Sequence, residues 1–269
     1  MRIEKNVSEP RGREYSDSKK NRRRQRMISP VQRLYETCKE TFANCGPGVV
    51  PSAEKIERLK EVLDTMAGAD VGLRPNMPYF KSTRYDRPPT ITYLHLHECD
   101  KFSIGIFCLP PSAVIPLHDH PGMTVFSKLL FGEMHIKSYD WVDNLPADPT
   151  PVAKPLDNGL GESTTGIRLA KVKINSAFRA PCKTSILYPA DGGNMHCFKA
   201  KTACAVLDVL GPPYCDPEGR HCQYYCDFPF SSISVTEEQK GGYAWLKERE
   251  KPDDLTLVGA LYKGPKMVK

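Results

Sequence analysis

No stretch of this chain approaches the roughly 18 uninterrupted apolar residues needed to cross a bilayer, so nothing in it reads as a membrane span. The first 30 residues lack an apolar core and cannot serve as a secretory signal, so the protein is expected to be soluble and to stay inside the cell, its thiols reduced. None of the ten cysteines forms a C-x-x-C pair. Only Cys222 and Cys226, with His221 adjacent, approach zinc-ligand spacing, and no second pair completes a site. Tryptophan is scarce, and neither Trp141 nor Trp245 carries visible chemistry. No aromatic residue interrupts the basic cluster between Lys19 and Arg26, which counts against a base-stacking nucleic-acid platform. There is no internal repeat, and no regular helix between strands to suggest a parallel α/β sheet.

What is present is unevenly distributed. The net charge of +6 is concentrated in residues 11–26, which hold eight Lys or Arg against two acids. That run lacks the apolar groups needed to offset ordering entropy, so residues 1–28 are expected to form a disordered basic tail, either an import signal or a solvated arm. From Ser29 the character changes. "SPVQRLYETCKETF" predicts a helix capped by Ser29 with Pro30 at its first position. "PSAEKIERLKEVLDTM" predicts a second, with Ile56, Leu59, Val62, Leu63 and Met66 on one face. Short strand-like runs then continue to about residue 235, among them "TITYLHLHE", "FSIGIFCLP", "MTVFSKLLFG", "EMHIKSYDWV", "IRLAKVKIN", "SAFRAP", "SILYPA", "MHCFKAKTA" and "CAVLDVLGP". Their length and Pro/Gly punctuation fit an all-β sandwich or barrel. Residues 144–166, rich in Pro, Gly, Asp and Thr, read as a loop insertion, so residues 29–269 are taken as one domain.

Residues two apart on a strand share a face, so His118 and His120 in "IPLHDHPGMTVF" can converge on one ion while Asp119 points away. A competing pair, His95 and His97, lies in a strand whose alternation puts Ile91, Tyr93, His95 and His97 on one face and Leu94 and Leu96 on the other. That pair looks like the polar side of an ordinary strand. A third ligand for the first pair is best supplied by His196, which follows the Pro/Gly turn "YPADGGNMH"; His135 and His221 are poorer candidates.

At these residues the chain resembles the cupin superfamily, whose first motif has a histidine pair, a carboxylate and a glycine and whose second has a Pro/Gly turn with a histidine. Residues 118–132 and 189–196 match them, but Val125 stands where a glutamate ligand is usual and Ala200 where Asn is often found. Together with "GPPYCDPEGRHCQYYCDFPF", residues 30–269 look specifically like the plant cysteine oxidases, which are similar to animal 2-aminoethanethiol dioxygenase. The resemblance implies an all-β cupin double-stranded β-helix, a jelly-roll barrel with short N-terminal helices. It also implies iron(II), Fe2+, held by His118, His120 and His196. The substrates it implies are dioxygen and the cysteine at a protein's free N-terminus, oxidised to the sulfinic acid. The targets would be group VII ethylene response transcription factors, marked for degradation through the N-degron pathway so that oxygen is sensed. The protein would work as a monomer in nucleus and cytoplasm, with no membrane and no specific nucleic acid as partner.

The missing carboxylate is consistent with this chemistry. Three neutral imidazoles leave the metal's double charge to be balanced by a substrate thiolate, a soft donor that binds it directly. In the family an aspartate at the position of Asp208 lies near the metal. An ionisable group in the apolar run "ACAVLDVLG" needs a partner, so Asp208 is expected to orient a histidine or the substrate amine. Tyr214 is expected to reach the cavity with its hydroxyl, and Cys222 and Tyr224 are spaced for a thioether crosslink. Cys197 should point away from His196 into the core. The rival readings are a metal-binding, non-enzymatic cupin regulator and a zinc or manganese cupin isomerase.

Overall fold

The computed structural model describes residues 28–81, 88–142, 166–230 and 242–268. The basic run and almost all of the 144–166 insertion therefore lie outside the described residues. Helix α1 (Pro30–Phe42) begins where the sequence predicts: the Ser29 hydroxyl accepts a hydrogen bond from the Gln32 N–H at 3.2 Å, and Pro30 follows the cap. Helix α2 (Ala53–Asp64) buries Ile56, Leu59 and Leu63, the spacing of one helical face. It stops at Asp64, so Met66 joins the same core from just beyond its end.

Among the described residues, twelve strands build two six-stranded sheets. The first runs in the order β12 (Leu257–Leu261), β1 (Ile91–Glu98), β2 (Ser103–Leu109), β9 (Cys204–Gly211), β4 (Thr124–Phe131) and β7 (Ser185–Leu187). All its pairings are antiparallel except β12 on β1. The second runs β10 (Tyr224–Pro229), β11 (Tyr243–Arg249), β6 (Ile167–Arg179), β5 (Glu133–Trp141), β8 (Met195–Ala200) and β3 (Val114–His118), and closes on itself where Tyr224 pairs with His118. This is the jelly-roll barrel of the cupin fold with its two helices outside.

Alternation along the first sheet gives it two different faces. Ile104, Ile106, Leu207 and Val209 turn outward under α1 and α2, in one core with Leu34, Phe42 and Leu59. Their neighbours Gly105, Phe107, Asp208 and Leu210 turn inward and line a cavity. Gly132, at φ +97° between β4 and β5, has to be glycine, because a Cβ there would press into the Ala203 carbonyl.

The structure departs from the sequence reading in four places. "IRLAKVKIN" and "SAFRAP" form one continuous strand, β6. Strands β3, β10, β11 and β12 are absent from the runs read as strands. His118 ends β3, whereas His120 lies beyond it in the turn to β4. A register shift between His95 and His97 exposes the first and buries the second against Tyr35 and Phe102, so the two do not share a face.

Candidate active site

The site grows from the β3–β8 ladder. His118 pairs in register with His196 on β8, and both side chains are buried. The turn after β3 then brings His120 back to them. The ring centroids of the three histidines lie 4.8–4.9 Å apart, and one ligand atom from each falls within 4.8 Å of the others. Among the described residues this is the only group of three or more His, Cys, Asp or Glu gathered closely enough to hold a metal.

Their hydrogen bonds determine which nitrogens are bare. His118 Nδ1 lies 2.8 Å from the Pro116 carbonyl, which can only accept, so Nδ1 carries the proton and Nε2 is free. The Tyr214 hydroxyl donates its single hydrogen to the Asp119 carbonyl at 2.6 Å, so it accepts from His120 Nδ1 at 2.9 Å. His120 Nε2 is therefore also bare, and it faces His196 Nε2 at 3.3 Å, a separation that fits two ligands of one cation. Burial, and for His120 and His196 also their histidine neighbours, pushes all three rings below the ordinary imidazole range. Neutral, converging imidazoles of this kind suit a divalent transition metal.

Val125, where a fourth ligand would stand, is instead packed among Met123, Leu187 and Leu210. The structure supplies no carboxylate at that position.

The histidines form one wall of a cavity of about 290 Å³. Phe198 stacks on His196 at 4.4 Å. Asp208 projects from the opposite sheet, 4% exposed, and its Oδ1 has no hydrogen-bond partner. Burial raises its carboxyl to about 7, with the Ser127 hydroxyl opposing in part. Beside it the Tyr93 ring lies across Gly105, where a Cβ would overlap it. Tyr214, Cys222 and Tyr224 complete the rim. Burial raises the Cys222 thiol to about 11, with the neighbouring Tyr214 and Tyr224 hydroxyls opposing in part. It is thus a protonated thiol in contact with Tyr224.

All five residues singled out from the sequence, His118, His120, His196, Asp208 and Tyr214, line this one cavity. His95, His97, His135 and His221 do not. Cys226 lies near Arg249 and forms no metal group with Cys222 and His221. Cys197, as expected, packs on the far side of β8 with Leu117, Tyr139 and Leu246. Sequence reasoning missed Tyr93, Glu98 and Phe198. For Tyr93 and Phe198 the signal is the inward alternation of β1 and β8, whereas Glu98 falls outside that alternation and reaches the cavity mouth through the register shift after His95.

The family model PCO_ADO matches residues 62–267. The chain belongs to this family. The match to PCO_ADO is accompanied by 60% identity over 263 residues to Plant cysteine oxidase 2 of Arabidopsis thaliana, covering 95% of this chain and 90% of that protein. Human 2-aminoethanethiol dioxygenase is 28% identical over 274 residues, covering 91% of this chain and 98% of its own. An RmlC-like cupin from Desulfovibrio desulfuricans aligns with a TM-score of 0.29 at 17% identity, over 52% of this chain and 97% of its own. As a PCO_ADO member with plant cysteine oxidases as relatives, the chain is a thiol dioxygenase, an oxidoreductase of the cysteine dioxygenase type. Neither the non-enzymatic regulator nor the isomerase fits that membership.

Proposed function

We propose that the chain is an iron(II) enzyme that uses dioxygen to convert the cysteine at a protein's free N-terminus to its sulfinic acid. The observation that carries this reading is the charge inside the cavity. Its described lining includes the buried carboxyl of Asp208 and, at the exposed mouth, Glu98, but no lysine or arginine. Free cysteine would bring an α-carboxylate into that wall with no cation to meet it. An N-terminal cysteine brings only an ammonium, because its carboxyl is a neutral amide. The 60% identity to proteins named plant cysteine oxidases supports a cysteine thiol as the group oxidised.

Bound at the three histidines, iron(II) would supply a Lewis acid for the thiolate and the redox partner for dioxygen. The chain's own groups do the rest. Asp208 meets the substrate ammonium, which by its positive charge draws the carboxyl back to its ionised form. Tyr214 holds His120 in the tautomer that points Nε2 inward. Phe198, Phe107 and Ile115 keep that corner dry. Electrons balance without an external reductant: the sulfur gives up four, dioxygen accepts four, and both oxygen atoms end on sulfur. On this reading the targets are group VII ethylene response factors. Their oxidation feeds the N-degron pathway as an oxygen sensor, and the enzyme acts as a monomer in nucleus and cytoplasm.

A peptide beginning with cysteine, incubated with enzyme and air, should gain two oxygen atoms by mass spectrometry. The same peptide N-acetylated leaves Asp208 unpaired and should lose at least about 100-fold in kcat/KM, as for a broken buried charge pair. A peptide that gains no oxygen sinks the reading. Tyr214→Phe removes the acceptor for His120 Nδ1–H and should weaken iron binding roughly 10- to 100-fold, as for other partners behind metal-bound histidines. Anaerobic iron titration checks it.

A further inference from the structure

We infer that Asn194 is a positioning residue that sets the separation of His120 from His196. This rests on the metal reading of the three histidines. His118 and His196 are placed by the strand ladder in which they pair. His120 lies outside any ladder, in the turn after β3, and needs another device. The Asn194 side chain provides it. Its Oδ1 accepts from the His120 backbone N–H at 3.1 Å, and its Nδ2 donates to the His120 carbonyl at 3.0 Å and to the Tyr188 carbonyl at 2.8 Å. One buried planar amide thus grips both backbone polar groups of the residue that carries one ligand, while lying two residues ahead of another.

Only an amide of this length presents acceptor and donor together at that spacing. The His120 carbonyl also takes the Met123 N–H at 3.2 Å, so on the His120 backbone the group that loses its partner without Asn194 is the N–H, a buried donor.

Asn194 is itself anchored. Asp140 Oδ1 on β5 accepts the backbone N–H groups of Gly193 at 2.8 Å and Asn194 at 3.1 Å. Lys173 on β6 lies 3.3 Å from the same carboxylate and 2.7 Å from Asp191. The chain of contacts therefore runs from the β5–β6 pair through Asp140 and Asn194 to the ligand in the turn. The clamp ties a loop position to the strands of the barrel.

The test is an anaerobic titration of the metal-free protein with cobalt(II), read by its visible d–d bands, which report ligand geometry, alongside thermal unfolding without metal. Asn194→Ala should bind cobalt roughly 10- to 100-fold more weakly, with shifted bands, while the metal-free protein still unfolds cooperatively. Asp140→Ala, one step further from the ligand, should shift the bands in the same direction by less. Asp140→Asn, which keeps an acceptor, should restore them. If Asn194→Ala does not fold, the Asp140 pair decides alone, and unchanged bands in Asp140→Ala overturn the inference. If wild type binds cobalt and Asn194→Ala binds it equally with the same bands, the inference fails and the metal reading stands. A wild-type chain that takes up no cobalt overturns both.

Discussion

His196→Ala should give a folded protein that retains no iron and forms no sulfinic acid. The strand it sits on is held by backbone pairing to β3 and β5, which the substitution leaves intact. The lost ring faces the cavity and stacks on Phe198, so its removal opens space that water can enter, at a cost on the order of 1–3 kcal/mol to the fold. With two imidazoles left there is no facial set of three, and the loss in metal affinity should exceed the roughly 100-fold ceiling for residues that only support a ligand. Metal analysis and the cysteine-peptide assay read this directly. Surviving activity would mean that the ligand set is wrong.

Asp208→Asn should behave differently on every count. Iron is retained, because Asp208 comes from the opposite sheet and contributes no ligand atom to the histidine group. Turnover should fall by about 100-fold, the scale of a buried pair missing one charge. Stability should rise. Burial lifts this carboxyl from the ordinary 3.8 to about 7, so between those values the folded protein holds a proton that the unfolded chain has released. Wild-type stability contributed by this group is therefore intact below about pH 4 and declines as the pH rises through 7. Asparagine has no such proton to lose, and in the metal-free protein at pH 8 the variant should be more stable by up to an amount on the order of 4 kcal/mol, with no difference near pH 4. Thermal unfolding at pH 4, 6 and 8 checks the sign; a variant less stable than wild type at pH 8 refutes it.

The helices and the participants in the site were legible because their signals are local. Ser29-Pro30 announces α1, the Leu59–Leu63 spacing marks the face of α2, and a carboxylate amid "CAVLDVLG" stands out against its apolar neighbours. The geometry joining them was less legible. Two-residue spacing singled out histidines that do converge, but by the wrong route: a shared strand face was expected, whereas one residue ends a strand and the other sits in a turn. The displacement of His97 into the core depends on a bulge, which leaves no mark in a single sequence. Strand β12 pairs parallel with β1 across more than a hundred and fifty residues, beyond what local alternation can report. Asn194 was passed over because an asparagine after two glycines reads as a turn former.

Three of the five singled-out groups, the histidines, come from β3, β8 and the turn between β3 and β4, whereas Asp208 rises from β9 across the cavity. The two walls can consequently diversify independently. On the proposed function, exchanges along β9 and β2 would alter which amine is accepted, yet leave the three histidines as they are. A designer wanting this barrel to accept a different thiol would begin with Asp208, Leu210 and Phe107, keeping every histidine in place.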